Sequence, residues 1–135
     1  VLDYAYLYGR IWTRYGWQIF NGPNTKMLTL QNFPIQANGG DMLRIAICKL
    51  VNAGIEVCGP IHDAVMICGP AEEIEEIVLE TRRHMTEASE AVLQGFRVRT
   101  DAEIVKFPNR YMDGRGKDMW NLVLKLLVEA ERNAA

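Results

Sequence analysis

Ile61-His62-Asp63-Ala64 lies between two short apolar runs, Val57 to Ile61 and Val65 to Cys68. Two β-prone runs parted by two polar residues are a signal for a tight hairpin, although His-Asp lacks the Gly or Asn usual in such turns. The reversal places a carboxylate at the tip, held by two strands. A hard cation such as Mg²⁺ takes oxygen ligands and is best served by one on a rigid element. From the dipeptide alone, the competing reading is a solvated turn Asp beside a surface His.

The rest of the chain bounds what can surround that hairpin. Its 135 residues, 49% hydrophobic and 24% charged, fit one globular domain spanning 1–135 with a core of its own. With 15 basic against 17 acidic residues, it lacks the footprint of a free-standing nucleic-acid binder, so any DNA contact has to be local. No apolar run reaches the roughly 20 residues that span a bilayer and no signal peptide opens the chain, so a cytoplasmic protein without membrane contact is expected. Cys48, Cys58 and Cys68 lie in apolar segments and read as buried, reduced thiols. Counting outward from a His62-Asp63 turn, residue 58 faces residue 67, which sets Cys58 and Cys68 on opposite faces. His84 stands in a charged helical stretch and reads as solvated, and no Cys/His set has zinc-ligand spacing.

Chain order predicts an α+β fold: a small antiparallel sheet, including the His-Asp hairpin, against two to three helices. Residues 1–12 leave helix and strand both open. Arg10 to Phe20 reads as an aromatic hairpin turning near Gly16, followed by a break at Asn21-Gly22-Pro23-Asn24. Met42, Leu43, Ala46, Ile47, Leu50 and Val51 predict a helix over about 39–52, stopped by Gly54. The hairpin follows over about 55–61 and 64–68. Gly69-Pro70 opens a second helix, with Glu72, Glu73, Glu75 and Glu76 near its start and Gly95 at its end; the acidic run reads as a solvated face. Alternation over 96–105 predicts a third strand. A last helix, about 116–131, is apolar around most of its circumference and is either centrally packed or kept for a partner.

Two segments in order give the hairpin a sharper meaning. Asn32-Phe33-Pro34-Ile35-Gln36-Ala37-Asn38-Gly39 runs into a helix, and Ile61-His62-Asp63-Ala64-Val65 follows. Together they resemble the C-terminal palm of family A DNA polymerases, the DNA polymerase I type, in which an Asn-x-Pro-x-Gln segment precedes a palm helix and a His-Asp hairpin, motif C. Thr13-Arg14-Tyr15-Gly16-Trp17 and Lys106-Phe107-Pro108-Asn109-Arg110-Tyr111-Met112 look like those of phage-type members, so the likeness covers roughly residues 10 to 125.

The resemblance implies that Asp63 is the motif C ligand in a two-Mg²⁺ site and that His62 stands beside the primer terminus. It implies that Asn32 and Gln36 contact primer-template DNA near its growing end, a role that suits amides reading minor-groove acceptors. Departures accompany the match. Ala64 replaces the acidic residue that usually follows the motif C Asp, and Leu28 stands where an Arg on the DNA backbone is frequent, with Lys26 nearby as a substitute. Asp3-Tyr4 echoes motif A without the Glu that should follow it, and no fingers helix for the dNTP is present.

The implied protein is a fragment, or one subunit of a split enzyme, in a bacterial or phage DNA-directed DNA polymerase. Its partners are the remaining polymerase domains, and the isolated chain is expected to be inactive. The alternative is a non-catalytic palm remnant serving as a protein-interaction module. Either would expose apolar surface able to support a homo-oligomer.

Overall fold

In a computed structural model that describes residues 1–134, the N-terminal segment resolves into a helix and then a strand. Helix α1 (Leu2–Tyr8) ends at Gly9, whose φ of 68° is left-handed and free of Cβ strain. The chain then enters β1 (Arg10–Trp12), which pairs antiparallel with β2 (Gln18–Phe20) in the register Ile11↔Ile19. Thr13 closes that turn, its N–H donating to the Trp17 carbonyl and its Oγ1 accepting from the Trp17 N–H. The expected aromatic hairpin is therefore present. Tyr4 stacks near Tyr8 at 4.4 Å and meets Trp12 edge-on at 5.6 Å.

Helix α2 (Met27–Asn52) is 26 residues long and contains Pro34. It begins well before the predicted start near Gly39, which corrects that boundary. Proline inside a helix removes one hydrogen bond and costs about 3 kcal/mol. The helix continues through it because residues on both sides are buried. Leu30 joins Ala5 and Ile11 in a core with Leu2, Ile19 and Phe33 packed on it, while Ala37, Ala46 and Leu50 are buried farther along. At its end the Gly54 N–H bonds to Val51 and the Ile55 N–H to Leu50, with Gly54 left-handed at φ 77°. This is a Schellman stop with buried Leu50 and Ile55 as its apolar clasp.

Strands β3 (Glu56–Ile61) and β4 (Ala64–Cys68) form the second antiparallel pair. Helix α3 (Ile74–Val92) begins a turn after Pro70 rather than at it, then packs on α2 with Ala88, Ser89 and Val92 buried. The acidic residues at its start are exposed, as expected.

The predicted third strand does not form. Residues 96–102 lie along α3 instead: the Val98 N–H donates to Ser89 Oγ at 2.9 Å, and Arg82 donates to the Thr100 carbonyl at 2.7 Å. Alternation supplies a two-faced segment but not a neighbouring strand, and α3 offers this backbone side-chain partners in place of a ladder. The described residues thus make four helices and two separate two-stranded sheets, an α+β fold.

The chain falls into two compact units, Val1–Ala102 and a second from Glu103 onward. In the second, Asp113 caps a 3₁₀ turn (Gly114–Gly116) that leads into α4 (Lys117–Ala134). Met119, Trp120, Leu122, Leu124, Leu126 and Leu127 on α4 are exposed. No described helix is long and apolar enough to cross a membrane.

Candidate functional site at the hairpin tip

Ile61 pairs with Ala64, so the chain reverses through His62 and Asp63 alone. His62 takes a φ of 55°, the left-handed region that L residues enter at a cost of roughly 1–2 kcal/mol. A positive φ at the first turn residue only is the sign pattern of a II′ turn, where Gly normally stands. Asp63 is exposed and makes no hydrogen bond or ion pair among the described residues. Its carboxylate is accordingly free to meet a cation or a donor from outside.

Asn32 and Gln36 lie one turn apart on α2 and are both exposed, so their amides share one helix face. Both lie inside α2 rather than ahead of it. Lys26 is the N-cap residue of α2, exposed, with an extended backbone. Among the described residues no hydrogen bond or ion pair links the amide pair or Lys26 to the hairpin tip. His62 and Asp63 thus adjoin at the turn, and Asn32 and Gln36 share one face of α2.

One exposed carboxylate fits a single position in a Mg²⁺ shell but not a two-ion site, which needs further anionic ligands to neutralise it. Among the described residues no group of three or more His, Cys, Asp or Glu side chains is placed to hold a metal. Asp3 sits in the first turn of α1, exposed and off any strand.

All three cysteines are exposed, which corrects their expected burial. Cys58 and Cys68 also share a face rather than opposing one another. From the turn outward the pairs run Ile61↔Ala64, Pro60↔Val65 and Gly59↔Met66, and then a β-bulge intervenes, so that Val57 meets Ile67 and Glu56 meets Cys68. The extra residue is Cys58, and the slip of one gives Cys68 the same facing as Cys58. The Cys58 thiol is pushed up from its ordinary value, chiefly by shielding from water, with Cys68 and Glu56 adding to it.

Two buried polar groups carried no sequence signal. Asp41 on α2 is 2% exposed; Arg44 approaches its Oδ1 at 3.6 Å, while Oδ2 is buried without a partner. In sequence, Asp41 follows two glycines and looks like an ordinary helix-start residue. His84, expected to be solvated, is mostly covered: Nε2 lies 3.6 Å from Glu80 and Nδ1 3.5 Å from Glu87. A groove between α3 and residues 96–101 contains several arginines, but Arg83 and Arg97 are paired with Glu80, Glu87 and Glu90.

Comparison with protein-family models, with curated proteins and with solved structures gave no match for this chain.

Proposed function

We propose that this chain is the C-terminal palm portion of a family A DNA polymerase, supplying the motif C carboxylate Asp63 and primer-template contacts to a nucleotidyl-transfer site. The supporting observation is the two-residue turn that holds Asp63 outward and unpaired beside a left-handed His62. A turn selected only for stability would carry Gly at that backbone position. Strain kept at an exposed His next to a free carboxylate is the pattern of a working site. Asn32 and Gln36 present two amides along one face, and Lys26 a cation for backbone phosphate. The remaining carboxylates, and the grip on dNTP, belong to other polymerase segments or a second subunit.

Labelled primer-template duplex, followed by fluorescence anisotropy, tests this reading. Binding should weaken roughly three- to tenfold in Asn32→Ala/Gln36→Ala, and Lys26→Ala should lower the salt slope by about one. A wild-type chain that ignores duplex at low salt sinks the reading. Primer extension by the isolated chain should be absent, since one carboxylate cannot bridge two ions about 3.5–4 Å apart. Robust Mg²⁺-dependent incorporation, lost in Asp63→Asn, would overturn the expected inactivity.

The second reading, a non-catalytic palm remnant that binds a protein or a second copy, draws on the exposed apolar face of α4. It predicts no duplex affinity and concentration-dependent association that Leu124→Asp abolishes in sedimentation equilibrium.

A further inference from the structure

We propose that Cys58 and Cys68 form an oxidisable dithiol on the outer face of the β3–β4 hairpin, closed to an intramolecular disulfide by a low-molecular-weight disulfide. The inference stands apart from the polymerase reading and rests on the bulge. In an unbroken ladder counted from the turn, Cys68 would oppose Val57 and point away from Cys58. The extra residue shifts its partner to Glu56, two residues from Cys58 and on the same side. The inner face is taken by half-buried Val57, Val65 and Ile67, while Glu56, Cys58, Met66 and Cys68 are exposed.

Diagonal neighbours on one face of an antiparallel pair lie roughly 7–8 Å apart, so closing a disulfide between them draws the two backbones together. Cys68 also acts on the Cys58 thiol, adding to the upward push on it. Both cysteines are free and open to a soluble reagent. Cys48 is also exposed, but on α2, and provides an internal control.

The step balances as two exchanges. One protein thiolate attacks the disulfide RSSR, forming a mixed disulfide and releasing RS⁻. The second protein thiolate then attacks the protein sulfur of that intermediate, forming the Cys58–Cys68 bond and expelling the second RS⁻. The two protein thiols lose two protons and two electrons; the reagent is reduced to two RSH. The resulting bond closes a loop containing His62 and Asp63. Because the Cys58 thiol is raised, closure should quicken as pH rises through the mildly alkaline range.

The test treats the folded chain with excess oxidised glutathione, alkylates the free thiols and measures intact and peptide masses. The expected product has lost two hydrogens, contains a peptide bridged between Cys58 and Cys68, and is alkylated at Cys48 when free oxidant is removed before Cys48 reacts. Cys48→Ala should close at an unchanged rate. Cys58→Ser and Cys68→Ser should each stop at the glutathione adduct, with at least a tenfold loss of bridged product. Stable glutathione adducts on both Cys58 and Cys68 of the wild type, or bridging that reaches Cys48 equally well, would overturn the proposal.

Discussion

Lys49 Nζ lies 2.9 Å from Glu87 Oε2, a direct ion pair between α2 and α3. Glu87 is also held by Arg83 at 2.8 Å, and its carboxyl is lowered from the ordinary value of 4.5, first by the Lys49 hydrogen bond. A lowered folded value contributes stability above the unfolded value, lost as pH falls through the folded one. Both side chains are about a third exposed, so solvent screening keeps the pair modest. Lys49→Met should therefore lower stability at neutral pH by at most about 1 kcal/mol. The gap should narrow below pH 4.5, as measured by urea unfolding across an acid series.

His62→Gly should stabilise the chain by about 1 kcal/mol, because glycine enters the left-handed region without the Cβ penalty. The gain is read from urea midpoints. If duplex affinity falls in the same variant, the His side chain is retained for contact rather than for folding. A destabilised His62→Gly would contradict the strain assigned to this turn.

Asp63→Asn should leave the unfolding free energy unchanged within about 0.5 kcal/mol, since its carboxylate has no partner to lose among the described residues. Calorimetry on the two proteins decides this. A large drop would mark Asp63 as a structural turn residue and weaken its role as a ligand.

Adjacent glycines on α2 should respond differently to alanine. A Cβ on Gly39 meets nothing within 4 Å, so Gly39→Ala should gain about 1 kcal/mol of helix propensity. A Cβ on Gly40 would sit 2.5 Å from Trp17 Cζ3, so the indole must move. Gly40→Ala should forfeit that gain and shift tryptophan emission, which Gly39→Ala should not.

Asp113 accepts from the Arg115 guanidinium and from the Arg115 N–H, and its carboxyl is held down to about 2 from an ordinary 3.8. This cap is intact above pH 3.8 and is lost as pH falls toward 2. In Arg115→Ala the NMR-detected midpoint of Asp113 should rise toward 3.8, with the backbone N–H bond retaining part of the depression.

What was legible in the chain was local. His62-Asp63, Gly54 and Gly16 each announce a reversal or stop within a few residues, and each stands where it was expected. The start of α2 was hidden because Pro34 reads as a breaker, while the burial that carries the helix through it comes from Ala5 and Ile11, distant in sequence. The alternation at 96–105 could not disclose that α3 would supply its partners. Nor does any residue type announce the bulge at Cys58, so the facing of every residue beyond it was counted one place out. Of the candidate site, Asp63 and its turn were readable; the orphaned oxygen of Asp41 was not.

Pro34 gives α2 an uneven grain. Because residue 34 has no N–H to bond the Leu30 carbonyl, fraying from Met27 meets a missing rung there, whereas the stretch from Ala37 to the Schellman stop has none. The first turns of α2 can thus open without unwinding the part that anchors the hairpin. In hydrogen exchange, α2 should behave as two cooperative blocks, and the one bearing Asn32 should open first.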